Sequence, residues 1–453
     1  MQEYLWEAIK DVAADYVEVR IEETIRTRVD FVGRELEQIG SVERRGGCVR
    51  VLSNGGWGFA SFNDIDNLRT NVQKAAEMAY LVGNSGARLA PITPIAAEYL
   101  LGWGKDPIQV PLLEKQQLCE TYNRLLLNTP KVQTTSVRYR DIALKKYLLT
   151  SEGTYLSQQG VFCGISLAVI AKDGNNIQQS HFSTGDFRGY GQVEGLEDKA
   201  ESVAKAAVDL LSAEQISGGR YTVVIDPKLC GVFVHEAFGH LSEADFLYEN
   251  PHLQELMPLG ARFGADDLSI VDFPGLEGEA GYYPYDDEGV PGTKTYLVKD
   301  GILSNRLHCR ETAAMMDEPL SGNARAIDYS HEPIVRMSNT YLEPRGCELD
   351  EMFEGVSLGV YAKGAIGGMT NCEMFTFSAE EAFLIENGRI TKPLRDVVLT
   401  GNVFETLANI NAIGNDVVFY GGLGGCGKAG QSPLPVSTGG PHIRVQNVTI
   451  GGR

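Results

Sequence analysis

Two imidazoles and a carboxylate fall within six consecutive positions at His235-Glu236-Ala237-Phe238-Gly239-His240. A hydrolytic metal centre needs that composition: neutral imidazole ligands, an anionic ligand, an open coordination position for water, and a nearby carboxylate as base. In the usual motif the histidines sit four residues apart on one helix face. His235 and His240 are five apart, and an ideal α-helix would set them about 140° apart. One wider turn of π type returns positions i and i+5 to a single face, and such turns gather at functional sites. Gly239 offers a place for it. The alternative is an ordinary helix with two unrelated histidines, one packed and one solvated. Glu236 would take a proton from the attacking water and later pass it to the leaving amine; without that role, a mid-helix glutamate is simply a good helix former.

A two-histidine site needs a further ligand. His181, His252, His308, His331 and His442 are scattered singles, the usual pattern of surface or core residues. Cys426 lies in Gly421-Gly422-Leu423-Gly424-Gly425-Cys426-Gly427-Lys428, where glycines allow close backbone approach and Lys428 can favour the thiolate. From the residues alone, Cys426 is equally a ligand or a bystander in a flexible glycine loop. The same segment imitates a phosphate-binding loop, but Ala429 stands where a magnesium-holding Ser or Thr is needed. Pro433, Pro435 and Gly439-Gly440 then preclude the helix whose N-terminus would cradle phosphate.

The elements that must position these groups follow from capping and alternation. Asp226 is a good N-cap and Pro227 suits the first helical position, so a helix is predicted from there through His240 into Asp245. Glu243 and Asp245 are either orienters of the imidazoles or solvated carboxylates, and they stay outside the candidate site. The first half reads as one unit repeated: helix, antiparallel meander, helix. Its first copy has helices near 3–15 and 65–82 around strands 17–25, 28–39 and 48–62. The second has helices near 112–128 and 195–213 around strands 134–144, 147–159 and 163–171. Residues 89–111, with Pro91, Pro94, Pro107 and Pro111, read as an irregular connector. The expected class is α+β: an N-terminal domain over 1–217 and a glycine-rich, mainly β domain over 218–453 carrying one metal-binding helix.

With 453 residues and 43% hydrophobic content, the chain can bury a large core and exceeds one comfortable domain. A net charge of −20 repels phosphate backbones and anionic lipid, and Arg44-Arg45 and Lys145-Lys146 read as isolated solvated pairs. Direct nucleic-acid or membrane binding is therefore not expected. The acidic, amphipathic start lacks a signal peptide's basic and apolar regions. Eight cysteines without paired spacing read as reduced and cytoplasmic.

Further blocks carry a resemblance. Besides the histidine segment, Asp286-Asp287-Glu288-Gly289, Gly322-Asn323-Ala324-Arg325, Arg336-Met337-Ser338-Asn339-Thr340 and Gly425-Cys426-Gly427-Lys428 with Gly430-Gln431 occur in order. Together they resemble the TldD/PmbA family of metallopeptidases, on its TldD side; Arg345, inserted between Pro344 and Gly346, departs from the family pattern. The resemblance implies His235, His240 and Cys426 as metal ligands and Glu236 as the catalytic residue. PmbA-type relatives lack these residues and act as partners, so the resemblance implies an active subunit, a homodimer or a heterodimer with a PmbA-like chain, and a sequestered site. The expectation is an endopeptidase cutting unfolded or flexible polypeptides held along a strand edge, with one divalent metal per chain: zinc first, Fe2+ also compatible. Asn323, Arg325, Arg336 and Asn339 are candidates for positioning substrate or oxyanion, or else buried residues that fix loops. Two other classes stand beside this reading, a non-catalytic peptide-binding subunit and a metallohydrolase of non-peptide amides.

Overall fold

The computed structural model describes residues 1–102, 104–371 and 373–451; Cys372 lies outside them. The fold is a mixed α+β architecture. Alternation along Val17, Val19 and Ile21, and again at Val29 and Phe31, gives the first strand two buried apolar patches on one face, and amphipathic helices cover them. Helix α1 (Gln2–Ile9) precedes strands β1 (Tyr16–Val32), β2 (Glu35–Ser53) and β3 (Gly56–Phe62), and helix α2 (Leu68–Val82) follows. After β4 (Ala96–Leu101) come α3 (Leu112–Leu127), β5 (Val132–Thr150), β6 (Tyr155–Asp173), β7 (Asn176–Asp186) and α4 (Glu197–Leu210). The seven strands form one sheet in the order β3-β2-β1-β5-β6-β4, with β7 also on β6. Leu5, Ile9 and the apolar face of α2 pack beneath β1 and β2, while α3 and α4 pack beneath β5 and β6.

Several expected strand ends move. β1 pairs with β2 from Tyr16↔Leu52 to Val32↔Glu35, so Arg26-Thr27-Arg28 is strand interior and the turn falls at Gly33, whose φ is 56°. Likewise Lys145-Lys146 lies inside β5, and the chain reverses at Ser151–Thr154, inside the strand expected over 147–159. The expected connector contains β4, which joins β6 in parallel from Ala96↔Tyr155. The stretch expected as one strand over 48–62 is broken by a two-residue hairpin turn at Asn54-Gly55, both residues having positive φ.

The second half builds its own sheets. Strands Leu358–Asn371, Gly219–Ile225, Ile443–Gly451, Val398–Asn402 and Met374–Glu386 pair in sequence, and the first and last also pair, closing a ring. Val223, Ile225, Phe375, Phe377, Leu399 and Val445 fill its core. A six-stranded sheet that includes Ile270–Asp272, Asn339–Leu342 and Ser437–Gly440 lies beside it. Helix α5 (Pro227–Val234) leaves the ring strand Gly219–Ile225 and packs between the two. The described cysteines are free, and no described helix is long and apolar enough to cross a membrane.

Candidate metal centre

Helix α5 begins as its sequence dictates. The Asp226 side chain accepts a hydrogen bond from Leu229 N at 2.8 Å, and Pro227 occupies the first turn. Gly231 lets the helix backbone lie against Thr438 and Gly439, where a Cβ would collide. At His235 the helix widens into a π turn over His235–Gly239, and His240 N–H reaches back to His235 O. A Cβ at Gly239 would strike Met337 Sδ, so the turn requires glycine where it presses against the core. The wide turn sets the two imidazoles at 5.2 Å between ring centroids, inclined 79°. One 3-10 turn follows, and Glu243 then adopts an extended backbone with ψ 114°, ending the helix short of the expected Asp245.

Cys426 arrives from a tight hairpin in which Cys426–Lys428 pairs with Gln431–Leu434. Ala429 and Gly430, with φ of 49° and 78°, make its turn; no helix follows Lys428, so the phosphate-loop geometry is absent there. The hairpin brings its thiol to the histidines: ligand atoms of His235, His240 and Cys426 lie within 4.8 Å of one another. Cys426 Sγ is 3.4 Å from His240 Nε2. Tetrahedral zinc with ordinary Zn–S and Zn–N bonds spaces such atoms by about 3.5 Å. The buried Nδ1 of His235 has no hydrogen-bond partner. A two-imidazole, one-thiolate donor set at this spacing fits a single divalent ion.

Electrostatics point the same way. Burial pushes the Cys426 thiol up, but the His235 and His240 imidazoles outweigh it and bring it down to about 5. Burial lowers His240, yet the Cys426 thiolate and the Glu243 carboxylate raise it to about 11. A thiolate and a carboxylate flanking one imidazole thus demand a positive charge at that point. Glu243 Oε2 lies 2.9 Å from His240 Nδ1, which leaves Nε2 facing the thiol, the arrangement that orients a ligating histidine. Lys428 Nζ stands 3.2 Å from Glu243 and 2.6 Å from Asp245, and also donates to Val335 O. Glu243 is held below the usual range: burial opposes ionisation, and Lys428 and His240 overcome it. An acid three residues past the second histidine was the available signal, indistinguishable by type from a solvated helix-end carboxylate.

His235, Glu236 and Cys426 line a cleft of about 670 Å³. Glu236 is half-buried on its wall, whereas His235 and Cys426 are buried. Across the cleft, Glu380 accepts from Lys228 Nζ at 2.9 Å and from His181 N at 3.0 Å, tying β7 to α5 and to the ring. The four candidate positioning residues lie elsewhere. Asn323 and Asn339 are fully buried; Asn323 donates to Asp272 and to Arg336 O, and Asn339 bridges Gly281 N and Phe273 O. Arg336, also fully buried, donates to Cys426 O at 2.7 Å and Gln431 O at 3.2 Å, so it clamps the two strands of the cysteine hairpin. Arg325 lines a separate cavity and donates to Met337 O and Pro435 O.

Models of the PmbA/TldA metallopeptidases match nearly the whole chain: domain 1 over residues 17–82, the central domain over 105–213 and the C-terminal domain over 218–452. A metalloprotease of Synechocystis sp. is 46% identical, covering 97% of this chain and 95% of that protein. The chain belongs to the TldD/PmbA family. A Methanothermobacter thermautotrophicus metalloprotease shares 35% identity over 99% of each chain, and a zinc metalloprotease TldD homologue of Saccharolobus solfataricus shares 29% over 98% of each. Among solved structures, a Thermotoga maritima protein described as a candidate modulator of a DNA gyrase superposes with a TM-score of 0.80 at 20% identity, covering 99% of each chain. TldE of Thermococcus kodakarensis gives 0.75 at 16% identity, covering 100% of this chain and 99% of that one. At those identities the structural match speaks to the TldD/PmbA fold alone.

Proposed function

We propose that this family member is a metal-dependent endopeptidase hydrolysing peptide bonds in unfolded or flexible polypeptides. The observation that carries the reading is the convergence of His235, His240 and Cys426, of which His235 and Cys426 line a cleft that Glu236 also lines. Zinc suits this donor set and Fe2+ is compatible with it; a relative's name, zinc metalloprotease, favours zinc. Such a metal, when bound, would polarise the scissile carbonyl and acidify a water molecule. The chain's residues supply the rest. Glu236 takes the water proton and returns it to the leaving amine. Glu243 fixes the His240 ring, Lys428 fixes Glu243, and Arg336 fixes the backbone of Cys426.

An extended substrate has a place to lie. The Leu358–Asn371 strand pairs with Gly219–Ile225 only over Gly359–Ala362; past Lys363 that edge has no strand partner among the described residues. Lys363, Gly364 and Ala365 border the cleft. Pairing through backbone groups there makes recognition depend on an unfolded chain more than on its side chains.

The test compares wild type with Glu236→Gln, each assayed for bound metal and for cleavage of a denatured protein and of small amides. Equal metal content with a roughly 10²–10⁴-fold lower kcat in the variant is the expected result. Unchanged kcat removes Glu236 from the mechanism. Metal binding without cleavage of any polypeptide in wild type removes the peptidase reading.

A further inference from the structure

A second cavity, of about 570 Å³, lies across the Gly421–Gly425 loop from the metal cleft, and Gly422 and Gly424 border both. Its floor is the face of the seven-stranded sheet opposite the helices. Strand register assembles that floor. Arg26 stands opposite Val42 on β2 and Ile142 on β5, Thr24 opposite Arg44 and Leu144, and Arg28 opposite Arg140. Directly opposed residues of antiparallel strands share a face. Arginines that look solitary in sequence therefore become neighbours, and Arg325 joins them from the second half of the chain, its guanidinium 5.0 Å from the Tyr283 ring centroid.

The carboxylates of the cavity are already engaged. Asp287 pairs with Lys146 and Arg20, Glu22 lies near the same two cations, and Asp141 pairs with Lys115. Asp286 accepts backbone N–H groups of Glu288, Val290 and Ala324. The arginines are not so engaged. Arg140 pairs with Asp30, but among the described residues no carboxylate lies within ion-pair distance of Arg26, Arg28, Arg44 or Arg325. The Nε of Arg26 is buried without a partner, and Arg325 gives its terminal nitrogens only to uncharged carbonyls. In a chain of net charge −20, this is a local inversion of sign. Arg26 and Arg325 are half-buried, and Arg28 and Arg44 are exposed at the rim; a half-buried guanidinium without a counter-ion is poorly compensated, and its planar fork matches a carboxylate.

We propose that this cavity binds a carboxylate of the polypeptide substrate, carried by an acidic side chain or by a free chain end. The inference rests on the peptidase reading for the nature of its ligand. It is a peptide carboxylate because the cavity shares a wall with the metal cleft: Gly424 is two residues from Cys426, about 7 Å along the backbone. A chain extended past that loop, at about 3.3 Å per residue, enters the cavity within a few residues of the bond at the metal.

Binding is measured with the full-length Glu236→Gln protein, by fluorescence anisotropy of labelled unstructured peptides of one length. One peptide is Glu-rich, one has Gln at those positions and a free C-terminus, and one has Gln and an amidated C-terminus. The Glu-rich or free-terminus peptide should bind at least about tenfold tighter than the amidated one, and whichever does identifies the carboxylate. The gap should close in R26Q/R44Q and persist in R26K/R44K, which keeps the charge and controls for folding. Equal binding of the three peptides, or a gap that survives R26Q/R44Q, overturns the proposal. Because binding is read without turnover, a charge preference in a protein whose wild type cleaves nothing would sink the peptidase reading and leave the carboxylate site standing.

Discussion

Two cavities share the Gly421–Gly425 loop as a wall, and they are built by opposite means. The metal cleft takes most of its chemistry from one short helical stretch, where a single wide turn brings His235 and His240 together. The arginine-lined cavity takes its chemistry from register: Arg26 and Arg44 lie on different strands and meet because β1 and β2 stay paired over their full length. A helical site therefore tolerates change in distant elements better than a register-built one. Conversely, its ligands are individually indispensable, whereas a cluster of like charges degrades gradually.

The sharpest break of that comparison is loss of a ligand. Binding free energies of about 10–16 kcal/mol for four-ligand zinc sites put each ligand at about 2.5–4 kcal/mol. Cys426→Ser should thus weaken metal affinity by roughly 10²–10³-fold, read by competition with a chromogenic chelator. An unchanged affinity would mean that another residue completes the site.

Next in size is the seam between the halves. Asp287, on the loop that follows Tyr285, meets Lys146 of β5 and is 3.5 Å from Arg20 of β1. Burial pushes its carboxyl up, but Lys146 and Arg20 pull it below its ordinary value of 3.8. A folded-state pKa below the unfolded one contributes stability that is complete above about pH 4 and is lost as pH falls through the folded value. Asp287→Asn leaves Lys146 and Arg20 short of their partner, at a cost of about 3 kcal/mol. Denaturant midpoints should show that difference undiminished from pH 7 to 5 and shrinking below pH 4; a difference that grows on acidification would contradict the assigned direction.

Legibility followed the same division. The helix start at Asp226-Pro227 and the wide turn were readable because capping and spacing are local. Cys426 could be weighed only as a ligand or a loop residue, since its neighbour His240 lies 186 positions away, and the resemblance to the TldD/PmbA family decided it. Strand lengths were misread at Arg26-Thr27 and Lys145-Lys146: such polar pairs resemble turns, but here they are strand interior, and Arg26 and Lys146 line the arginine cavity. β4 hid among prolines because its parallel pairing with β6 leaves no local trace. The roles of Asn323, Arg336 and Asn339 in holding loops follow from burial, which residue type alone does not give.

A smaller effect sharpens the helical side. Glu243→Gln keeps the shape beside His240 Nδ1 but removes the charge that supports it, and outer partners of this kind are worth about 10–100-fold in metal affinity. The loss should exceed that of Asp245→Asn, because Asp245 reaches the histidine only through Lys428. Equal losses would assign the effect to Lys428 and remove Glu243 as the orienter.

The smallest change tests the shared wall itself. Ser183 Oγ on β7 accepts Leu423 N–H at 3.0 Å, pinning the loop that separates the cavities to the N-terminal sheet. Ser183→Ala removes the bond from Leu423 N, worth about 1 kcal/mol, together with a longer one donated to Ile165 O at 3.5 Å, and touches neither a ligand nor an arginine. Global stability and metal affinity should therefore change little. The Leu423 amide should exchange with solvent about fivefold faster, since its opening loses roughly that free energy. If the wall acts as one body, the Gly424 and Gly425 amides speed up with it, and the two cavities communicate through loop motion; if only Leu423 responds, the Cys426 hairpin holds its end independently, as the Arg336 clamp on Cys426 O would allow.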